Sequence, residues 1–247
     1  MKYVATIEAR MGSTRLPGKT LRPILGKPMI QWMIERVMES QLIDEIVVAT
    51  SINPNNDPLE ELAVKLGVEV FRGSEDDVLD RVLKAAQKHQ ADHIIELWGD
   101  TPLIDPEIID QAIKYYADNC YDCVGTCLEK TFPWGISFLI FPKKVLEEVD
   151  KLTNDPVDRE NVSTYIYHHP EKYRIGHLPC PPEIRRPELR LVVDEMADFD
   201  LIARIFDHFS RTKPDFRTKD IIDFLDKNPE LKKINPHVKQ KVVVRSE

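Results

Sequence analysis

EARMGSTRLPGK, residues 8–19, is the most informative segment of this 247-residue chain. It overlaps the end of KYVATIE, residues 2–8, a short run rich in β-branched residues that predicts a buried strand. The two glycines of the stretch let backbone N–H groups turn inward, and its two arginines and one lysine can spread over a triphosphate. The pattern therefore predicts a polyphosphate-binding loop at the end of a strand, although composition alone fits a solvated surface loop equally well.

The end of this loop, Gly18-Lys19-Thr20, has the form of the phosphate-binding loop of kinases and ATPases. The spacing does not agree with that motif, because five residues separate Gly12 from Gly18 and a Walker loop has a shorter interval. Pro17 also lacks the amide hydrogen that such a cradle would use. We therefore predict that the fold is not that of a P-loop protein.

Strand and helix patterns alternate through the first half of the chain. Predicted strands cover residues 43–50, 68–71 and 93–98, and predicted helices cover residues 28–40, 58–66 and 76–89. Such alternation requires crossover connections between parallel strands. The sequence thus predicts an α/β fold with a mostly parallel central sheet, helices on both of its faces, and ligands at the carboxyl ends of the strands.

The second half of the chain is less regular. Its patterns predict helices at residues 106–119, 196–209 and 218–226, and strands at residues 121–126, 135–141 and 189–193. Residues 155–182 predict a helix, a strand and a proline-rich exit, within an arm at about residues 127–182 that would serve dimerisation or the acceptor. We expect one domain over residues 1–235 and a charged, loosely held tail at residues 236–247.

Composition limits the classes of function. The formal net charge of −8 argues against broad binding of nucleic acid or anionic membranes, and the chain has neither a long apolar run nor a secretory signal, which predicts a cytoplasmic protein. Five basic residues and no acidic one lie between Glu8 and Glu35, a local cationic zone suited to a small polyanion. The spacing Cys120-x-x-Cys123 lacks a second half of a metal site, so we predict core cysteines rather than zinc or redox chemistry.

Six motifs carry a resemblance to a known family: ARMGSTRLPGK (9–19), GKPMIQW (26–32), IDEIVVATS (43–51), FRGSEDDVLDR (71–81), GDTPLIDPEIID (99–110) and LVVDEMADFDLI (191–202). In this order they resemble the SpsF-like cytidylyltransferases of spore coat polysaccharide biosynthesis, relatives of the CMP-Kdo and CMP-sialate synthetases. The resemblance extends from Lys2 to about Pro236. It implies a GT-A-like nucleotidyltransferase fold and the transfer of CMP from CTP to a sugar or sugar acid.

The resemblance also assigns roles to individual residues. Arg10, Ser13, Arg15 and Lys19 match triphosphate-binding positions of the family, and Asp100 and Asp194 match its metal-binding acids. Magnesium is the expected ion, because it prefers carboxylate and phosphate oxygens. The expected catalytic residues are Arg10, Lys19 and Asp100. The full set expected around the nucleotide is Ala9, Arg10, Met11, Gly12, Ser13, Arg15, Lys19, Arg72, Trp98 and Gly99.

The stretch PWGISFLIF, residues 133–141, departs from the family, which usually carries acids there. Trp134, Ser137 and Leu139 occupy those positions, so the identity of the acceptor stays open. We expect Trp134, Ser137 and Arg159 to contact the acceptor. Two alternatives remain for the function: the same chemistry with GTP or UTP, and a nucleotide-binding protein without catalysis. The resemblance and the predicted arm favour a homodimer.

Overall fold

A computed structural model describes residues 1–240 of the protein, and its central feature is a seven-stranded sheet with the strand order β5-β4-β1-β6-β8-β7-β9. Strands β5, β4, β1 and β6 run parallel, β8 is antiparallel to both β6 and β7, and β9 pairs with β7 in parallel. The expected mostly parallel sheet is confirmed. The strands are β1 (Tyr3–Glu8), β2 (Pro23–Ile24), β3 (Lys27–Pro28), β4 (Glu45–Ser51), β5 (Glu69–Gly73), β6 (His93–Trp98), β7 (Cys123–Gly125), β8 (Leu139–Pro142) and β9 (Ile175–His177), of which β2 and β3 form a separate antiparallel pair.

Helices cover both faces of the sheet, as expected. In β1 alternate side chains enter different hydrophobic clusters, because successive residues of a strand point to opposite faces: Ala5 and Ile7 join one cluster and Val4 the other. The first cluster includes residues of α1, α2, α4, α8 and α9, and the second includes residues of α3, α5 and α7. The helices are α1 (Met29–Val37), α2 (Asp57–Lys65), α3 (Val78–Lys88), α4 (Pro106–Ala117), α5 (Lys143–Leu152), α6 (Pro156–Glu160), α7 (Thr164–His168), α8 (Met196–Thr212) and α9 (Thr218–Lys227).

The segment before Asp194 was expected to be a strand at residues 189–193, and the structure corrects this. Only Arg190 forms a bridge, parallel to Trp134. The backbone donors of the segment reach two loops instead of a ladder: Leu191 N lies 2.6 Å from the carbonyl O of Trp134, and Val193 N lies 2.9 Å from that of Asp100. The apolar alternation that suggested a strand reflects the burial of Leu191 and Val193 in the core.

Further corrections concern the second half of the chain. Of the expected loose tail at residues 236–247, Val238 is buried, and residues 241–247 lie outside the described part of the structure. Cys120 is exposed rather than part of the core, whereas Cys123 is buried. Residues 155–182 hold two short helices, α6 and α7, and the strand β9. Within residues 1–240, every helix is too short or too polar to span a bilayer.

Gly135 allows the close approach between the loop after β7 and the segment that leads to Asp194. Its φ is +115°, and an added Cβ would lie 2.5 Å from the backbone C and O of Leu191. We therefore expect Gly135→Ala to lower the free energy of unfolding by about 2–4 kcal/mol, because backbone strain and a clash with backbone atoms add together. Chemical denaturation measures the change. Gly12→Ala is the control, since its Cβ would meet only Glu75 Oε1 at 3.8 Å, and an equal loss in the two variants would contradict the assignment.

Candidate active site

Lys19 joins two aspartates that are far apart in sequence. Its Nζ lies 3.1 Å from Asp100 Oδ2 and 3.2 Å from Asp194 Oδ1, and it donates a 2.6 Å hydrogen bond to the carbonyl O of Val193. Lys19 begins a short 3-10 turn directly after Gly18, which adopts the left-handed conformation (φ 70°) that favours glycine. The structure thus brings together three of the residues that the resemblance assigns to one site.

The two aspartates meet because their backbones are joined. Asp100 follows the carboxyl end of β6, and its carbonyl O accepts the hydrogen bond from Val193 N, which places Asp194 beside it. The β1 and β6 ends are also close together: Gly99 N donates to the carbonyl O of Glu8 at 2.9 Å, and a Cβ on Gly99 would come within 2.9 Å of that oxygen. The site therefore lies at the carboxyl ends of the central parallel strands, where ligands bind in open α/β sheets.

Cations surround the Asp194 carboxylate. Arg15 Nη2 lies 2.7 Å from its Oδ1, and Arg190 Nη2 lies 2.8 Å from its Oδ2. Burial raises the pKa of Asp194, but Lys19, Arg15 and Arg190 outweigh burial, so the pKa lies below its ordinary value. Asp194 is therefore an anion across the physiological pH range.

Asp100 has the opposite shift. Burial raises its pKa, Lys19 opposes the shift, and the nearby charge of Asp194 adds to it, so the pKa lies above its ordinary value. The two acids supply hard oxygen donors on either side of the Lys19 ammonium group, and such donors suit a divalent cation that completes its shell with substrate phosphates. Within residues 1–240 no group of three or more His, Cys, Asp or Glu side chains could hold a metal alone.

Hydrogen bonds from within the glycine-bearing loop and from residues beyond it hold the loop backbone. Met11 N donates to Asn56 Oδ1 at 2.8 Å, and Leu16 N donates to Ser13 Oγ at 3.3 Å. Thr20 Oγ1 donates to the carbonyl O of Arg10 at 2.8 Å. Ala9, at the start of the loop, is buried in the core. The contact with Asn56 ties the loop to the segment that follows β4.

The structure does not bring Arg10 to the aspartates. Its Nη1 lies 3.3 Å from Glu75 Oε1, and its Nη2 lies 3.8 Å from Glu160 Oε1 on α6. The physical reason is local charge, because these two carboxylates attract the guanidinium group. Arg10 is partly exposed in this position.

Arg72 and Trp98 lie at strand ends but make other contacts. Arg72 Nη1 forms ion pairs with Asp57 Oδ1 at 2.7 Å and with Glu60 Oε2 at 2.6 Å, and both of these acids lie on α2. Trp98 is partly buried and packs against the cluster that includes residues of α3 and α5. Neither side chain contacts Lys19, Asp100 or Asp194 through a hydrogen bond or ion pair that the structure of residues 1–240 records.

The residues expected to contact the acceptor make structural contacts. Arg159 donates to Asp77 Oδ1 at 2.9 Å and to Asp150 Oδ1 at 2.8 Å, which ties α6 to α3 and α5. Ser137 is buried and its Oγ accepts from Gly135 N at 3.3 Å. Trp134 N donates to the carbonyl O of Leu189 at 2.8 Å. These contacts hold the chain around the site.

Sequence reasoning missed the residues that support the site from behind. Asn56 holds the loop, and Arg190 and Asp198 hold Asp194. One signal was available for the last two, because Arg190, Asp194 and Asp198 recur at intervals of four residues. Asn56 belongs to no such pattern, and it is too far from Met11 in sequence for local patterns to indicate their contact.

A pair of glutamates lies beside the site, of which Glu96 is fully buried and Glu8 is partly buried. The register of β1 and β6 places Glu8 and Glu96 as diagonal neighbours on the face covered by α3, close to the buried Arg81. Burial raises the pKa of Glu96 to about 7. Burial and the neighbouring Glu96 also raise the pKa of Glu8 well above its ordinary value. The folded protein therefore holds protons on this pair that the unfolded chain releases at lower pH.

Stability should fall as the pH rises through the interval between the ordinary glutamate pKa and about 7, because the folded state binds more protons there than the unfolded state. We expect Glu96→Gln to weaken this dependence and to raise the free energy of unfolding at pH ~8 by about 1–3 kcal/mol. Urea denaturation across a pH series measures it. The exposed Glu69→Gln is the control and should retain the native profile, and an unaltered profile in Glu96→Gln would contradict the prediction.

Comparisons with known proteins agree with the resemblance found in the sequence. Residues 4–241 match a protein-family model described as cytidylyltransferase. The chain is 34% identical over 229 residues to the spore coat polysaccharide biosynthesis protein SpsF of Bacillus subtilis, covering 91% of this chain and 94% of that protein. It is similar to the structure of a cytidylyltransferase from Leptospira borgpetersenii, with 33% identity, a TM-score of 0.89, and coverage of 98% and 99% of the two chains.

A more distant structure shares the fold. It is a CMP:2-keto-3-deoxy-manno-octonic acid synthetase complexed with CTP, with 21% identity and a TM-score of 0.63 over 84% of this chain and 99% of that one. The expected nucleotidyltransferase-type α/β fold is therefore confirmed.

Proposed function

This chain belongs to the cytidylyltransferase family, and we propose that it transfers CMP from CTP to a hydroxyl group of a sugar or sugar acid, with release of pyrophosphate. The convergence of Lys19, Asp100 and Asp194 carries the proposal, because it combines a cation with two oxygen-donor acids at the carboxyl ends of the strands. The complex of a structural neighbour with CTP supports the choice of nucleotide.

In the proposed reaction the acceptor oxygen attacks the α-phosphorus of CTP. A new O–P bond forms, the bond from the α-phosphorus to the bridging oxygen breaks, and pyrophosphate leaves with that electron pair. The acceptor hydroxyl releases its proton to solvent water as the new bond forms. The protein supplies alignment and charge compensation: Lys19 and Arg15, both already beside anionic oxygens, bind the phosphates as negative charge gathers on the leaving group. Arg10 joins them by exchanging Glu75 and Glu160 for phosphate.

Asp100 and Asp194 would hold Mg²⁺, since their oxygens are the donors that this ion prefers and phosphate oxygens can complete its shell. When bound, the ion supplies Lewis-acid polarisation of the phosphate oxygens. The ionised state of Asp194 fits this role, because the low pKa keeps its carboxylate a donor near neutral pH. Lys19 occupies the space between the two acids, as a cation that phosphate oxygens can attract away.

The product would be a CMP-sugar for surface polysaccharide, as the role in the name of the Bacillus subtilis relative suggests. We place the reaction in the cytoplasm, where CTP is available. We also propose that the arm at residues 127–182 contributes to a homodimer and borders the acceptor, with Trp134, Ser137 and Arg159 shaping it from behind.

A pyrophosphate-release assay tests the function. The protein is mixed with Mg²⁺, each of the four nucleoside triphosphates and a panel of sugars and sugar acids. The proposal expects release with CTP and one class of acceptor, and none without the acceptor. Release with GTP or UTP in place of CTP would overturn the choice of base. Tight CTP binding without release across the panel would indicate a non-catalytic binding protein.

A further inference from the structure

The segment at residues 235–240 contacts Asp198, the acid that accepts a hydrogen bond from the backbone N of Asp194. Asn235 is only 4% exposed, and its Nδ2 donates to Asp198 Oδ1 at 2.8 Å and to the carbonyl O of Arg190 at 3.1 Å. Gln240 Oε1 accepts a 2.7 Å hydrogen bond from Arg190 Nη1. Residues at the end of the described chain therefore contact Arg190 and Asp198, which both hydrogen-bond to Asp194.

Asp198 fixes the backbone at Asp194. Its carboxylate is fully buried, and Oδ2 accepts hydrogen bonds from the backbone N of Asp194 at 3.0 Å and of Glu195 at 3.1 Å. Arg190 holds this carboxylate with two donors, Nε to Oδ1 at 2.9 Å and Nη2 to Oδ2 at 3.2 Å. Two-point contact between a guanidinium group and a carboxylate sets orientation as well as distance.

Arg190 also sets the direction of the Asp194 side chain. Its Nη2 donates to Asp194 Oδ2 at 2.8 Å, while Asp194 Oδ1 meets Lys19 and Arg15 on the opposite side. One oxygen is thus fixed from behind, and the other is presented to the reaction centre. Rotation of the carboxylate would break the contact with Arg190.

We propose that Arg190, Asp198 and Asn235 form a positioning relay through which the segment at residues 235–240 orients Asp194 Oδ1 toward the metal and the triphosphate. The relay rests on the proposed function for its role in catalysis, and on the contacts above for its existence. Each member acts through its neighbour: Asn235 holds Asp198 and Arg190, and these two hold Asp194. Removal of a side chain that hydrogen-bonds to a metal-binding residue commonly lowers metal affinity by about 10–100-fold.

Asn235→Ala tests the relay, because it removes the amide of the segment and leaves both charges of the Arg190–Asp198 pair in place. We expect the Mn²⁺ concentration for half-maximal activity to rise about tenfold, while the Kd for CTP in EDTA stays within about twofold of native. Asn228→Ala is the matched control, since the Asn228 amide donates to the carbonyl O of Phe224 at 2.7 Å, away from the site. Equal Mn²⁺ dependence in the two variants would overturn the proposed role.

A second measurement needs no ligand. We expect the losses of Tm caused by Asn235→Ala and Asp194→Asn to be less than additive in the double variant, because both act on one connected network. Additive losses would overturn the relay. If the native protein showed no metal-dependent turnover, the proposed function would fail, and the Tm comparison would still decide whether Asn235 orients Asp194.

Discussion

Lys19→Ala is expected to lower kcat/KM by about 10²–10³-fold, the effect of losing one fixed group that stabilises transition-state charge. Lys19 is the only group whose Nζ contacts both Asp100 and Asp194 among the ion pairs recorded for residues 1–240, so no other side chain there holds the same position. Arg15 remains beside Asp194 and should preserve part of the binding of CTP. The loss should therefore fall mainly on kcat, measured by pyrophosphate release at saturating CTP.

Lys27→Ala is the matched control for Lys19→Ala. Lys27 belongs to the same basic stretch of sequence, but its Nζ pairs with Glu35 and lies 3.9 Å from the centre of the Trp32 ring, away from the two aspartates. It should retain activity within about twofold. A Lys19→Ala variant as active as Lys27→Ala would place the reaction centre elsewhere in the protein.

Asp100→Asn is expected to reduce kcat/KM by at least about 10²-fold, because the amide keeps the shape of the side chain and removes a charged oxygen donor to the divalent ion. The residual activity should require a higher metal concentration than the native protein. Titration with Mn²⁺ at fixed CTP measures both effects. Asp118→Asn, an exposed aspartate after α4, is the control and should keep the native metal dependence.

Asp100→Asn should lower activity without lowering stability. Burial raises the pKa of Asp100, with Lys19 opposing and Asp194 adding to the shift, so the folded state disfavours the charged form of this side chain. The cost is present above the ordinary aspartate pKa, and a neutral amide does not incur it. We expect a Tm at neutral pH that is no lower than native. A large drop in Tm together with lost activity would indicate that Asp100 is a structural residue rather than a metal-binding one.

The α/β fold could be predicted because local patterns report it. Alternating strand and helix patterns over residues 43–98 reflect burial on each element, and the observed elements differ from the predicted ones mainly at their ends. Residues 189–193 misled the prediction, because apolar alternation reports which side chains are buried and does not say where the backbone donors go. Leu191 and Val193 are buried, yet their N–H groups bond to Trp134 and Asp100.

The aspartate pair could be predicted for a different reason. Asp100 and Asp194 match motifs of a family, and that match carries information about distance in space that local patterns lack. The same match did not anticipate where the Arg10 side chain lies, because its position depends on Glu75 and Glu160, two acids that the fold brings near it. The burial of Asn235 could not be predicted either. A polar residue near a charged C-terminal segment indicates exposure unless a buried partner such as Asp198 is known.

The position of the divalent ion shows whether Asp100 and Asp194 form the reaction centre. A crystal of the native protein soaked with CTP and Mn²⁺ would locate the ion by its anomalous scattering. We expect an ion bound by Asp100 and Asp194 Oδ1, a triphosphate over residues 9–19, and Lys19 Nζ on phosphate oxygens. An ion bound away from both aspartates, or a triphosphate that does not contact the loop, would contradict it.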